Sequence, residues 1–185
     1  SWGIVAKAVD NGMTWQELLA EYKEKVVVTY PSMDFTEVFR KEAPDVLRKL
    51  QEKGLRLALA SSNGLAIVEK ILRDNGIREF FEVVVSGESF RKSKPDPEIY
   101  IHTAAVLGID TKDCLVAEDS TAGITAAHLA GMQVAAVIDD RFGFDRSLAD
   151  FEVEKITDIP DIPILSGKEA IRRKDGARQS GKVHA

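Results

Sequence analysis

Short apolar runs alternate along this chain with amphipathic stretches of helical period. Trp15, Leu18, Leu19, Tyr22 and Val26 line up on one face of a helix. Thr14 and Glu17 form a capping-box pair at its start, and Asn11-Gly12 reads as a turn before it. On that face Trp15 and Tyr22 are expected in the core. Pro44 opens a second helix at its first turn, with Val46, Leu47 and Leu50 as the apolar stripe. Lys49 and Lys53 suit its C-terminus, and Gly54 ends it. Leu55 to Ala60 then predicts a strand that runs into the polar turn Ser61-Ser62-Asn63-Gly64. A helix from about Leu65 to Asn75 stops at Gly76. Phe80, Phe81 and Val83 to Val85 predict a second strand region. After the basic loop Arg91 to Pro97, a helix from Glu98 to Leu107 stops at Gly108. Cys114 to Ala117 predicts a third strand, followed by a small-residue helix to Ala130. A last strand runs from Gln133 to Ile138.

Strand and helix in alternation argue a doubly wound parallel sheet with right-handed crossovers. Ligands of such sheets bind beyond the carboxyl ends of the strands. Three strand ends carry polar groups of different kinds. Ser61 and Ser62, beside Asn63, stand where a helix begins and where free N–H groups favour an anion. Lys94 follows the second strand, held between Ser93 and Pro95, and can neutralise an anion as a point charge. Glu118 and Asp119 close the third strand. Adjacent carboxylates repel unless a cation matches them, and an all-oxygen pair suits Mg²⁺. The same residues also read as an acidic turn in which Asp119 or Ser120 caps the next helix. A hydroxyl, an ammonium and a carboxylate pair at successive strand ends outline a site for phosphoryl transfer, which works by positioning and charge neutralisation.

Composition narrows the class. At 185 residues the chain suits one domain, or one plus part of another, on a prior of about 150 residues per domain. A net charge of −5 and a pI near 5.3 argue against a general nucleic-acid binder. No run is long and apolar enough for a membrane span, and no leader pattern opens the sequence. The single cysteine, Cys114, is expected as a buried thiol and fits a reducing compartment; the expected location is cytoplasmic.

Three segments, LALASSNG, SKPDPEIY and VAEDSTAGITAAHLAGM, stand in this order and resemble the second, third and fourth motifs of the haloacid dehalogenase superfamily. They look most like its subgroup of β-phosphoglucomutase and small sugar-phosphate phosphatases, over roughly residues 40–160. The resemblance implies a Rossmann-like core over 41–165 and part of a helical cap over 1–40; by its composition, 166–185 is expected to be a basic, flexible tail. It implies that Ser61 hydrogen-bonds the transferring phosphoryl group, with Ser62 and Asn63 beside it. It implies that Lys94 steadies the nucleophile and the phosphoryl charge, and that Glu118 and Asp119 hold Mg²⁺ directly or through water.

One departure stands against these matches. The superfamily's first motif is an apolar strand ending in Asp-x-Asp-Gly, whose first Asp forms an aspartyl-phosphate. No Asp-x-Asp occurs in this sequence. The nearest candidate is Asp10-Asn11-Gly12, where a glycine stands in place of the second Asp. The chain is therefore expected to begin within the cap and to be inactive by itself. The strand bearing the nucleophile is expected mid-sheet, between the strands that end at Ser61 and at Glu118. The resemblance implies an Mg²⁺-dependent phosphatase acting on a small phosphorylated metabolite, a sugar phosphate in this subgroup. A phosphomutase and a non-catalytic relative are the alternatives, and the oligomeric state stays open.

Overall fold

The structure, a computed structural model, describes residues 12–29, 33–141 and 143–166. Asp10, Asn11 and the basic tail beyond 166 lie outside the described residues, as do the side chains of Trp15, Leu19 and Val26.

Helix α1 spans Trp15–Thr29. Its capping box forms: Thr14 N–H donates to Glu17 Oε2 at 2.8 Å, and Glu17 N–H to Thr14 Oγ1 at 3.3 Å. Tyr22 is 45% exposed, so the expectation of a core residue there fails. Helix α2, Ala43–Glu52, carries Pro44 in its first turn and buries Val46 and Leu50. Strand β1 is Ala58–Ser61. It starts later than expected and takes in Ser61, which pairs with Ser86 of β2, Val83–Ser86. Helix α3 is Leu65–Asp74. Phe80 belongs to a buried 3-10 turn, not to a strand, because its ring plugs the space beside Val68, Leu72 and Ile77. Helix α4 is Glu98–Leu107, ended by Gly108 at φ 67°, a left-handed position that glycine reaches without strain. Strand β3 is Leu115–Glu118, helix α5 is Thr121–Leu129, and strand β4 is Gln133–Val137. A short strand β5, Phe151–Val153, extends the sheet and was not anticipated; three residues carry too little pattern to read. Cys114 is only partly buried.

All strand pairs are parallel. They form a two-stranded sheet, β1-β2, and a three-stranded sheet, β3-β4-β5. Alternation of side chains shows that both sheets share the same two faces. Ala60, Val83, Val85, Val116, Val134 and Ala136 pack with α4 and α5. Their neighbours point the other way. Leu115, Ala135 and Val137 face α2 and the 156–162 segment, while Leu59 and Val84 face α3. Both halves thus make one sheet layer between two helical layers, the arrangement that buries parallel strands on both sides. Small residues bring α5 close: Gly123, Ala126 and Ala127 are buried. Among the described residues, β1 pairs only with β2, and β3 only with β4. Residues of β1 and β3 line a common cavity of about 820 Å³, together with Leu47, Tyr100 and Ile159.

Candidate active site

Lys94 ties the two half-sheets together at their carboxyl ends. Its Nζ donates to the carbonyl oxygen of Ala60 in β1 at 3.2 Å and to Glu118 Oε1 at the end of β3 at 2.5 Å. A third bond goes to the hydroxyl of Tyr100 at 2.8 Å, and the ammonium lies 4.6 Å from the centre of that ring. The hydroxyl of Tyr100 in turn donates to Glu118 Oε1 at 2.6 Å. Lys94 and Glu118 side chains are 10% and 11% exposed, so the pair is largely shielded from solvent. The loop around Lys94 is held by Asp96, which accepts from Glu98 N–H at 3.1 Å and pairs with Lys92.

Glu118 is saturated. Besides the two donors on Oε1, its Oε2 accepts from the hydroxyl of Ser120 at 3.1 Å and from Asp119 N–H at 3.2 Å. Burial raises its pKa, but the Lys94 charge and the bonds from Lys94, Tyr100 and Ser120 outweigh burial and hold the carboxyl below its ordinary range. Burial, and then the Glu118 charge, push the Tyr100 phenol upward, so it stays a protonated donor. Gly123 makes room for this carboxylate: a Cβ there would stand 2.0 Å from its carboxyl carbon. Ser120 is the N-cap of α5, accepting from Gly123 N–H at 3.1 Å. The capping reading of Ser120 and the site reading of Glu118 therefore hold together. Asp119 is exposed.

Ser61 ends β1 one residue beyond the carbonyl that Lys94 holds, and its Oγ accepts from Asn63 N–H at 3.1 Å. The carbonyl of Asn63 accepts from the buried Ser86 hydroxyl at 2.9 Å, which fixes the turn. Ser62 and Asn63 are exposed. The start of α3 is already partly matched by an anion, because Glu88 accepts from Leu65 N–H at 3.0 Å. Lys94 thus brings Glu118 next to the end of β1 at Ser61, while Ser62 and Asn63 stand exposed in the turn beyond it. Tyr100, Ser86 and Glu88 were missed. Tyr100 lies in the SKPDPEIY segment, in the first turn of α4, where nothing local marks its hydroxyl for a polar role.

Comparison with known proteins bears directly on this arrangement. The profile described as haloacid dehalogenase-like hydrolase matches residues 5–137, most of the chain. The chain belongs to this family. It is 32% identical over 158 residues to hexitol phosphatase B of Escherichia coli strain K12, covering 80% of this chain and 67% of that protein. It is 38% identical over 92 residues to the β-phosphoglucomutase of Bacillus subtilis strain 168, covering 50% of this chain and 40% of that one. The crystal structure of β-phosphoglucomutase from Clostridium difficile superposes with a TM-score of 0.64 at 21% identity, over 78% of this chain and 62% of that one, a likeness of fold. Across curated relatives the chain spans from 9% to 70% of their length. The family and the Rossmann-like α/β fold inferred from the three motifs are therefore correct.

Proposed function

We propose that this chain carries the charge-handling part of a phosphoryl-transfer site for a small phosphorylated metabolite, a sugar phosphate by its relatives, and that the reaction is hydrolysis. The observation that carries the reading is Lys94, shared between the carboxyl ends of β1 and β3 beside Ser61. An ammonium there offsets the repulsion between an anionic nucleophile and a phosphoryl group. Ser61 would donate its hydroxyl to a phosphoryl oxygen, with Ser62 and Asn63 at the outer edge of the pocket. In the chemistry of this family a carboxylate oxygen takes the phosphoryl group as the ester oxygen leaves, and water then releases it.

Mg²⁺ fits this site in part. Asp119 offers an exposed, hard carboxylate. Glu118 as placed does not fit as a direct ligand, since both its oxygens are taken by protein donors. No group of three ligand side chains stands together among the described residues. Asp119 would hold the ion, which when bound supplies positive charge against the phosphoryl oxygens.

Residues 1–185 contain no Asp-x-Asp, so we expect them to release no phosphate from an aryl phosphate by themselves. The position between Ser61 and Glu118 is where the missing carboxylate would have to act. The test compares residues 1–185 with a version extended upstream, assayed with Mg²⁺ on sugar phosphates. In the active form, Lys94→Ala should lower turnover by orders of magnitude and Lys92→Ala should leave it nearly unchanged. Equal effects would show a general basic loop instead. The likeness to β-phosphoglucomutase supports a second reading, transfer within a sugar; turnover that needs a sugar bisphosphate primer would establish it. No helix among the described residues is long and apolar enough to cross a membrane.

A further inference from the structure

We propose that Tyr100 is a positioning residue for Lys94, one that holds the ammonium at the mouth of the site without neutralising it. This rests on the phosphoryl-transfer reading above. The three N–H bonds of Lys94 are all in use, to Ala60 O, Glu118 Oε1 and Tyr100 Oη. Two of those acceptors are neutral. Tyr100 also donates to Oε1, the same oxygen that Lys94 contacts, and so occupies a lone pair that the ammonium would otherwise share. The residue is 5% exposed and its ring sits against the ammonium, so the hydroxyl has little freedom to swing away. Fixed on the first turns of α4, Tyr100 sets where the lysine head stands relative to β1 and β3. An incoming phosphoryl oxygen could then replace the longest of the three bonds, the one to Ala60 O at 3.2 Å, while the other two keep the ammonium in place. Holding a charge in its working position beforehand is how such sites lower the cost of reorganisation.

Tyr100→Phe tests this, since it keeps the ring, its packing and its contact with the cation. The full 185-residue chain is labelled on lysine side-chain nitrogen, and the Lys94 ammonium resonance is assigned with Lys94→Arg. In the unaltered protein this resonance should exchange slowly with water, unlike that of the exposed Lys92. In Tyr100→Phe it should exchange at least about tenfold faster, the equivalent of one charge-assisted hydrogen bond, with the backbone amide spectrum preserved. Inorganic phosphate is then titrated. It should shift the Lys94 resonance, with an apparent affinity about tenfold weaker in Tyr100→Phe. A Lys94 resonance that exchanges fast in the unaltered protein, or one that Tyr100→Phe leaves unchanged, overturns the proposal. So does faster exchange with unchanged phosphate affinity, which would make the hydroxyl merely structural. If phosphate leaves the resonance of the unaltered protein unmoved, the phosphoryl-site reading fails, and the exchange rates alone decide whether Tyr100 positions Lys94.

Discussion

Gly123→Ala offers a direct measure of how tightly Glu118 is held. A Cβ at position 123 would lie 2.0 Å from the carboxyl carbon of Glu118 and 2.2 Å from each of its oxygens. Something must shift. A glutamate head is ordinarily flexible, but this one is pinned by Lys94, Tyr100, Ser120 and the backbone of Asp119. The gain from alanine, about 1 kcal/mol in a helix interior, is at most that at Gly123 in the first turn of α5. Prising a buried carboxylate from its cation costs about 3–5 kcal/mol. The net expectation is destabilisation by about 2–4 kcal/mol, or a drop in Tm of roughly 5–15 °C for a chain of this size. Urea and thermal unfolding of four proteins check it: unaltered, Gly123→Ala, Glu118→Ala and the double variant. Without the Glu118 side chain the clash is gone, so in that background Gly123→Ala should stabilise by at most about 1 kcal/mol. The sign should reverse. The same destabilisation in both backgrounds would refute the reasoning and place the cost in the backbone of α5.

Three further outcomes are expected. In the active form, Asp119→Ala should abolish Mg²⁺-dependent turnover while leaving the unfolding midpoint nearly unchanged, and Glu118→Gln should lower stability more than it lowers metal affinity; full activity of Asp119→Ala at low Mg²⁺ would sink the ligand assignment. The depressed pKa of Glu118 contributes stability above its ordinary value of 4.5 that is lost as pH falls below it, so the stability gap between the unaltered protein and Glu118→Gln, read from urea midpoints, should narrow from pH 6 to pH 3. Ile124→Ala, at a side chain only 1% exposed, should cost about 2–5 kcal/mol by calorimetry, whereas Leu129→Ala, 60% exposed on the same helix, should cost under about 1 kcal/mol.

The amino-acid sequence alone determined the elements whose causes are local. Helix α4 runs between the bounds expected, because Pro97 and Gly108 fix its ends through backbone geometry. Thr14 and Glu17 made their capping box, which needs only a three-residue spacing. The candidate residues Ser61, Lys94 and Glu118 were legible because parallel strands place their carboxyl ends side by side whatever the packing. What the sequence could not determine depends on distance across the fold. Glu118 and Asp119 read alike as neighbouring acids, yet β3 buries one against Lys94 and leaves the other exposed. Nothing local singles out Tyr100, and only the approach of α4 to both β1 and β3 turns its hydroxyl into a bridge. Glu88 carries no local signal in the sequence, and only the pairing of β2 with β1 sets it on the N-terminus of α3. Local pattern fixes where a side chain leaves the backbone; which charge it meets is decided by chain segments brought together from far apart, whose contacts leave no periodic trace in the sequence.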